Sequence, residues 1–164
     1  MKTRSGKSAA RREFLLAAGG VVAGMALEPA TAAAPASGAK ATVAATLESI
    51  RRVAGSATIN PGRVKLDLPE LVDNGNAVPL SVKVDSPMTP SDHVRAIHIF
   101  TQKNPLPDVA TFRLGPRAGR AVVSTRVRLA DTQTVIAIAE MSDGSFWSGT
   151  ADTVVTLASC LEEL

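Results

Sequence analysis

The sequence predicts an all-β protein: an antiparallel β-sandwich with a short N-terminal helix and a flexible C-terminal arm. Three observations carry this reading. From Arg63 onward apolar residues recur at every second position, the period of strands with one buried face. Two segments, His93 to Thr101 and Thr134 to Met141, are apolar on both faces, which places them centrally. Turn residues such as Asp73-Asn74-Gly75-Asn76 and Ser142-Asp143-Gly144 separate the runs at the spacing of a sandwich.

The elements follow in order. Ala41 to Ala54 sets Val43, Leu47, Ile50 and Ala54 at helical spacing, with Arg51 and Arg52 near the end and Gly55 just beyond, so a short amphipathic helix with a glycine stop is expected. Val64, Leu66 and Leu68 alternate with Lys65 and Asp67, and Val78, Leu80, Val82 and Val84 repeat the pattern, giving two strands joined by a loop. After the two-faced strand at His93 to Thr101, Ala110 to Leu114 and Ala121 to Leu129 read as half-exposed strands. Phe146-Trp147 and Thr153 to Leu157 complete a set of seven or eight.

The first 32 residues answer to export rather than folding. Lys2, Arg4, Lys7, Arg11 and Arg12 form a basic start, the Arg11-Arg12 pair precedes Glu13-Phe14-Leu15, and an Ala/Gly/Leu/Val stretch runs to about Leu27. This is the pattern of a twin-arginine signal peptide. The glycine-interrupted stretch is shorter than the ~20 residues of a membrane span, and Ala30-Thr31-Ala32 offers a cleavage site, with Ala32-Ala33-Ala34 as the second choice. The expected organisation is therefore a signal peptide at 1–32, a spacer and short helix at 33–56 with Ala33 to Lys40 mobile, a β-sandwich at 57–157 and an arm at 158–164. The expected product is soluble in the periplasm, without membrane attachment after cleavage.

Charge narrows the partners. Five of the 18 Lys and Arg and two of the 15 Asp and Glu lie in the leader, leaving 13 of each and no net charge after cleavage. Binding a phosphate backbone needs a clustered basic surplus, so nucleic acid is not an expected partner.

Cys160 is the only cysteine, four positions from the end of the chain. An oxidising compartment favours paired cysteines or none, so a single exported thiol suggests a reactive or intermolecularly paired group. The competing reading is a small buried apolar residue, against which its place near the terminus weighs. Glu162, Glu163 and the terminal carboxylate of Leu164 oppose thiolate formation, so activation would come from a partner. His93 and His98 are the only histidines, and a separation of five in an extended segment sends them to opposite faces, which disfavours a shared metal. Met88 and Met141 could be added for a copper site, but methionines more often fill gaps. A Cys/His nucleophile pair remains conceivable with either histidine as base. There is no G-x-S-x-G, H-E-x-x-H or glycine-rich phosphate loop. No catalytic residue, metal or cofactor is assigned.

Three gapless stretches carry a resemblance: DLPELVDNGNAVPLSVKVDSPMT (Asp67 to Thr89), DHVRAIHIFTQKNPLPDVATF (Asp92 to Phe112) and STRVRLADTQTVIAIAEMSDGSFW (Ser124 to Trp147). They resemble SoxY, the sulfur-carrier family of the periplasmic thiosulfate-oxidation system. The resemblance implies an immunoglobulin-like sandwich paired as a heterodimer with a second β-sandwich subunit, SoxZ, and a C-terminal cysteine that holds a sulfur intermediate while separate sulfur-oxidation enzymes work on it. By position that cysteine is Cys160. Most SoxY arms end Gly-Gly-Cys-Gly-Gly; here Ala158-Ser159-Cys160-Leu161-Glu162 is bulkier and more acidic, and is similar to the related branch whose arms end Ala-Ala-Cys-Ile-Glu.

Two functional classes follow. One is a carrier without autonomous catalysis, loaded at Cys160. The other is a non-catalytic assembly module that pairs with a SoxZ-like subunit and uses Leu161 and Leu164 as anchors. An ordinary exported domain with an incidental cysteine is a third, weaker reading. For the partner interface, Ile97 and Ile99, or Val135 and Ala137, are candidates, although the core is the commoner home for such residues, and the protein alone is expected to self-associate.

Overall fold

Two sheets stacked face to face, with a helix over the outer face of the larger one, explain why the central strands are apolar on both sides. The computed structural model describes residues 37–157, with side chains from residue 42 onward. Within them lie α1 (Ser37–Ala54), β1 (Ile59–Pro61), β2 (Val64–Asp67), β3 (Leu71–Asn74), β4 (Val78–Val84), β5 (Val94–Thr101), β6 (Asp108–Arg113), β7 (Val122–Val127), β8 (Gln133–Met141) and β9 (Phe146–Leu157). The larger sheet runs β1-β9-β8-β5-β6, with β3 also paired to β9; the smaller runs β2-β4-β7. This is the expected all-β, immunoglobulin-like sandwich. Most ladders are antiparallel, but β1 and β3 both join β9 in parallel.

Between the sheets, Val78, Leu80 and Val82 of β4 meet Ile97 and Ile99 of β5 and Val135 and Ala137 of β8, all essentially fully buried. Burial of each large side chain of this kind contributes about 1.5–3 kcal/mol. Ile97, Ile99, Val135 and Ala137 are thus core residues and not an outward interface, because their register turns them toward β4. Met88 and Met141 belong to the same core.

The even positions of β5 and β8 face the other way. Phe100 and Ile138 form a second cluster with Phe146, Ile50 and Ala54 beneath α1. The helix begins at Ser37, so the last four residues of the expected spacer are helical. It stops as expected: Gly55 adopts φ 61° and donates its N–H to the carbonyl of Arg51 at 2.7 Å, a left-handed C-terminal cap. Its buried stripe, however, is Thr46, Ser49, Ile50 and Ala54, while Val43 and Leu47 remain exposed. The small residues allow close approach, and the buried Thr46 hydroxyl donates to the Thr101 carbonyl at 2.9 Å. Thr46→Val keeps the shape and removes that bond. A loss of about 1 kcal/mol, seen as a melting temperature lower by a few degrees, is the expected outcome in a thermal melt.

Two short strands escaped the sequence pattern, β1 and β3, each only three or four residues long. Phe146-Trp147 and Thr153 to Leu157, expected as separate strands, are the ends of one twelve-residue strand, β9. Its middle, Ser148-Gly149-Thr150-Ala151-Asp152, shows no apolar period but is held throughout by pairing with β8 from Gln133 to Glu140.

Candidate functional site

Cys160, Arg11 and Arg12 lie outside the described residues, as does the arm at 158–164; the structure describes what carries the arm. β9 delivers the chain to that end. Its last four residues leave β8 and lie against β3 in parallel, with Leu71 beside Val154, Val72 beside Val155 and Asn74 beside Leu157.

Hydrogen bonds fix this root. Val154 N–H donates to the Glu70 carbonyl at 2.8 Å, and the Thr153 hydroxyl to the Pro69 carbonyl at 2.7 Å. The Thr156 hydroxyl reaches the Asp73 carbonyl at 3.0 Å. Gly75 closes the β3–β4 turn and spans both sheets: its N–H donates to the carbonyl of Leu157 at 2.9 Å and its carbonyl accepts from Leu129 N–H at 2.8 Å. Leu157 is thereby pinned on the backbone while its side chain stays exposed. A chain segment that starts from such a point has a fixed origin.

Beside the root is a groove of about 770 Å³, floored by Leu66, Leu68 and Val154 and edged by Glu70, Lys103 and Asp152. Two of the three polar side chains on its edge are already partnered. Lys103 Nζ lies 2.8 Å from Asp131, and that hydrogen bond holds the Asp131 carboxyl below the usual aspartate range. Asp152 accepts from the Thr134 hydroxyl at 2.6 Å. The Asn104 carboxamide ties the two adjoining loops, accepting from Ala130 N–H and Gln133 Nε2, both at 2.9 Å. An apolar floor with scattered, mostly partnered polar groups at its edge suits protein contact better than capture of a small ion.

The two histidines are not brought together. His93 Nδ1 lies 3.1 Å from the Thr89 carbonyl in the approach to β5. His98 sits on the outer face of β5, 7% exposed, with Nδ1 3.0 Å from the Thr111 hydroxyl and its ring stacked on Phe100 at 6.4 Å. Burial there makes it a poor base for a thiol in solvent. Its Nε2 is buried without a hydrogen bond, 3.9 Å from Glu140, which in turn pairs with Arg95 at 3.1 Å.

Desolvation pushes the His98 pKa below 6.5, outweighing the attraction of Glu140. A lowered histidine pKa means that the unfolded chain takes up the proton first. Stability should therefore be steady above pH 6.5 and fall as the pH drops below it, until the folded-state pKa is passed. The lowered aspartates, Asp131 and Asp143, act only in the range below 3.8. Melting temperatures taken from pH 7.5 to pH 5 should slope downward in wild type, and His98→Gln should flatten that slope.

Comparison with known proteins decides the family. The profile of the family described as "Sulfur oxidation protein SoxY" matches residues 50–160. The chain belongs to the SoxY family. Among solved structures, the sulfur carrier protein SoxY from Chlorobium limicola f thiosulfatophilum is similar at 29% identity, TM-score 0.60, over 71% of this chain and 97% of that one. A superoxide reductase (neelaredoxin) from Ignicoccus hospitalis matches at 17% identity and TM-score 0.52, over 57% of this chain and 80% of that one, a likeness of fold alone. No curated protein matches the chain. The SoxY family match spans β1 to β9 and extends to Cys160, so the root described above is part of the family domain.

Proposed function

We propose that this SoxY-family chain is a carrier in sulfur oxidation, not an enzyme in its own right, and that it holds its cargo covalently on Cys160. The observation that carries the reading is the family match from residue 50 through residue 160, which takes in the single cysteine of the chain. The fixed origin at Leu157 supports it, because a thiol three residues beyond a pinned strand end is held within a small volume and gains effective concentration once a partner docks.

The simplest loading step is sulfur transfer from a persulfide donor. The Cys160 thiolate attacks the outer sulfur of the donor; a new S–S bond forms on Cys160, the donor's own S–S bond breaks, and the donor leaves as a thiolate. The proton stays on the transferred sulfur and no external oxidant is needed. Because thiolate is the attacking form, the carboxylates of Glu162 and Glu163 slow the step unless a partner offsets them.

The reading includes the rest of the expected setting: export to the periplasm through the Arg11-Arg12 signal, pairing with a SoxZ-like subunit, and an arm of the Ala-Ala-Cys-Ile-Glu branch that fits enzymes other than those serving glycine-flanked arms. Intact-mass measurement of the protein isolated non-reduced from its host tests the central claim. A reducible sulfur adduct mapped to Cys160 is expected. A thiol that is always free, or always joined to another protein's cysteine, overturns it in favour of an assembly module.

A further inference from the structure

The end of the sandwich from which the arm departs exposes three large apolar side chains. Leu71 is 62% exposed, Val154 49% and Leu157 66%. Leu71 and Val154 are register partners on neighbouring parallel strands, so their side chains share one face, while Leu157, three residues further along β9, projects from the other side of the strand end where the arm leaves. Val154 also lines the groove floored by Leu66 and Leu68, which joins patch and groove into one surface. Around it stand the exposed carboxylates of Glu70, Asp73 and Asp152, while the ammonium of Lys103 is tied to Asp131 at 2.8 Å.

We propose that this surface is the docking collar for the enzyme that acts on Cys160, and that the mouth of that enzyme offers apolar side chains to Leu71, Val154 and Leu157 and basic side chains to the surrounding carboxylates. The proposal rests on the carrier reading above. Reach commits the occupant. Cys160 lies three residues past Leu157, so even a fully extended arm places it only about 10 Å from the end of β9. An enzyme that draws the thiol into a recessed site must bring its rim within that distance, and the side chains then met are those of the collar. Charge points to the same occupant. Glu162 and Glu163 put two further carboxylates on the arm itself, so a basic mouth is attracted both to the collar and to the arm it must admit. The far end of the sandwich is out of reach: Val122 starts β7 opposite Lys83, whereas Val127 at its other end lies opposite Val78, next to the turn that binds Leu157.

The test follows sulfur loading of the full-length protein purified from its host, using glutathione persulfide as donor, with and without a soluble extract of that host. Intact mass reads the gain of one sulfur. The extract is expected to accelerate loading of wild type, and added salt to weaken that acceleration. The double variant Leu71→Ser with Val154→Thr, which alters only exposed strand positions, should lose at least tenfold of the extract-dependent rate and keep the uncatalysed rate. Val122→Thr, an equally exposed substitution at the far end, should keep both. Acceleration of the double variant equal to wild type overturns the collar and leaves the carrier reading standing. If the double variant instead changes the oligomeric state by sedimentation without changing the rate, the patch joins copies of this chain and the proposal is wrong. No acceleration of wild type overturns the collar as well; the carrier reading falls only if the natively isolated protein also carries no adduct.

Discussion

Cys160→Ala is expected to abolish adduct formation completely and to leave the thermal unfolding of the protein unchanged. Two features set this expectation. Cys160 is the only thiol in the chain, so no neighbouring cysteine can take over the transfer, and both hydrophobic clusters of the described residues are built from side chains between Ile50 and Val155 that the substitution leaves unchanged. A carrier without its thiol has nothing to load: sulfur transfer measured by intact mass should be undetectable, and a host strain carrying only the variant should lose the sulfur-oxidation step that the protein serves. Partner binding should persist, since the sandwich is intact. The discriminating outcome is a variant that restores sulfur oxidation to a deletion strain. That result would assign the function to assembly by the sandwich, with the arm serving as an anchor through Leu161 and Leu164.

Much of this architecture was legible in the sequence because strand periodicity and burial agree. β4 reads as an alternation and buries alternate residues; β5 and β8 read as two-faced and are covered on both sides. What escaped was decided by partners rather than by local pattern. β1 and β3 are too short to carry a period and exist because β9 offers unpaired backbone on both halves of its length. The centre of β9 is polar and small, yet pairing with β8 keeps it extended. In α1 the apolar positions Val43 and Leu47 suggested the buried face, whereas the packed stripe contains Thr46 and Ser49, because a carbonyl at Thr101 and a close approach outweigh apolar area. The candidate site divides in the same way. A lone terminal cysteine stands out in any reading of the chain, but the collar beside it does not: Leu71 and Val154 are 83 residues apart and meet only through the parallel register of β3 and β9.

Gly149 should be the position within the sandwich least tolerant of substitution, and Gly149→Ala is already expected to be severe. Gly149 lies opposite Ala137 in the middle of β9, where its backbone comes up against β2. A β-carbon built there meets the main-chain carbonyl of Val64 inside any permitted separation and lies 2.9 Å from Leu66 Cδ1. The leucine could rotate away. The carbonyl cannot, because Val64 is held in register with Val84 and its strand closes the smaller sheet. The methyl group must therefore displace β2 from β9, opening the sandwich along the line that joins its two sheets, where Val64 is buried in the core. Overpacking of a well-filled interior commonly costs about 1–3 kcal/mol, and a clash with backbone belongs at or above the top of that range. In a protein whose total stability is on the order of 5–15 kcal/mol, the variant should melt many degrees lower or accumulate poorly. Gly149→Val should be worse, and Gly144→Ala, where nothing lies near but φ is 82°, should be milder. The denaturation midpoints of these three variants rank the two mechanisms directly. If Gly149→Ala melts with wild type, β2 is not held against β9, and the groove floor formed by Leu66 and Leu68 beside the arm root loses its structural basis.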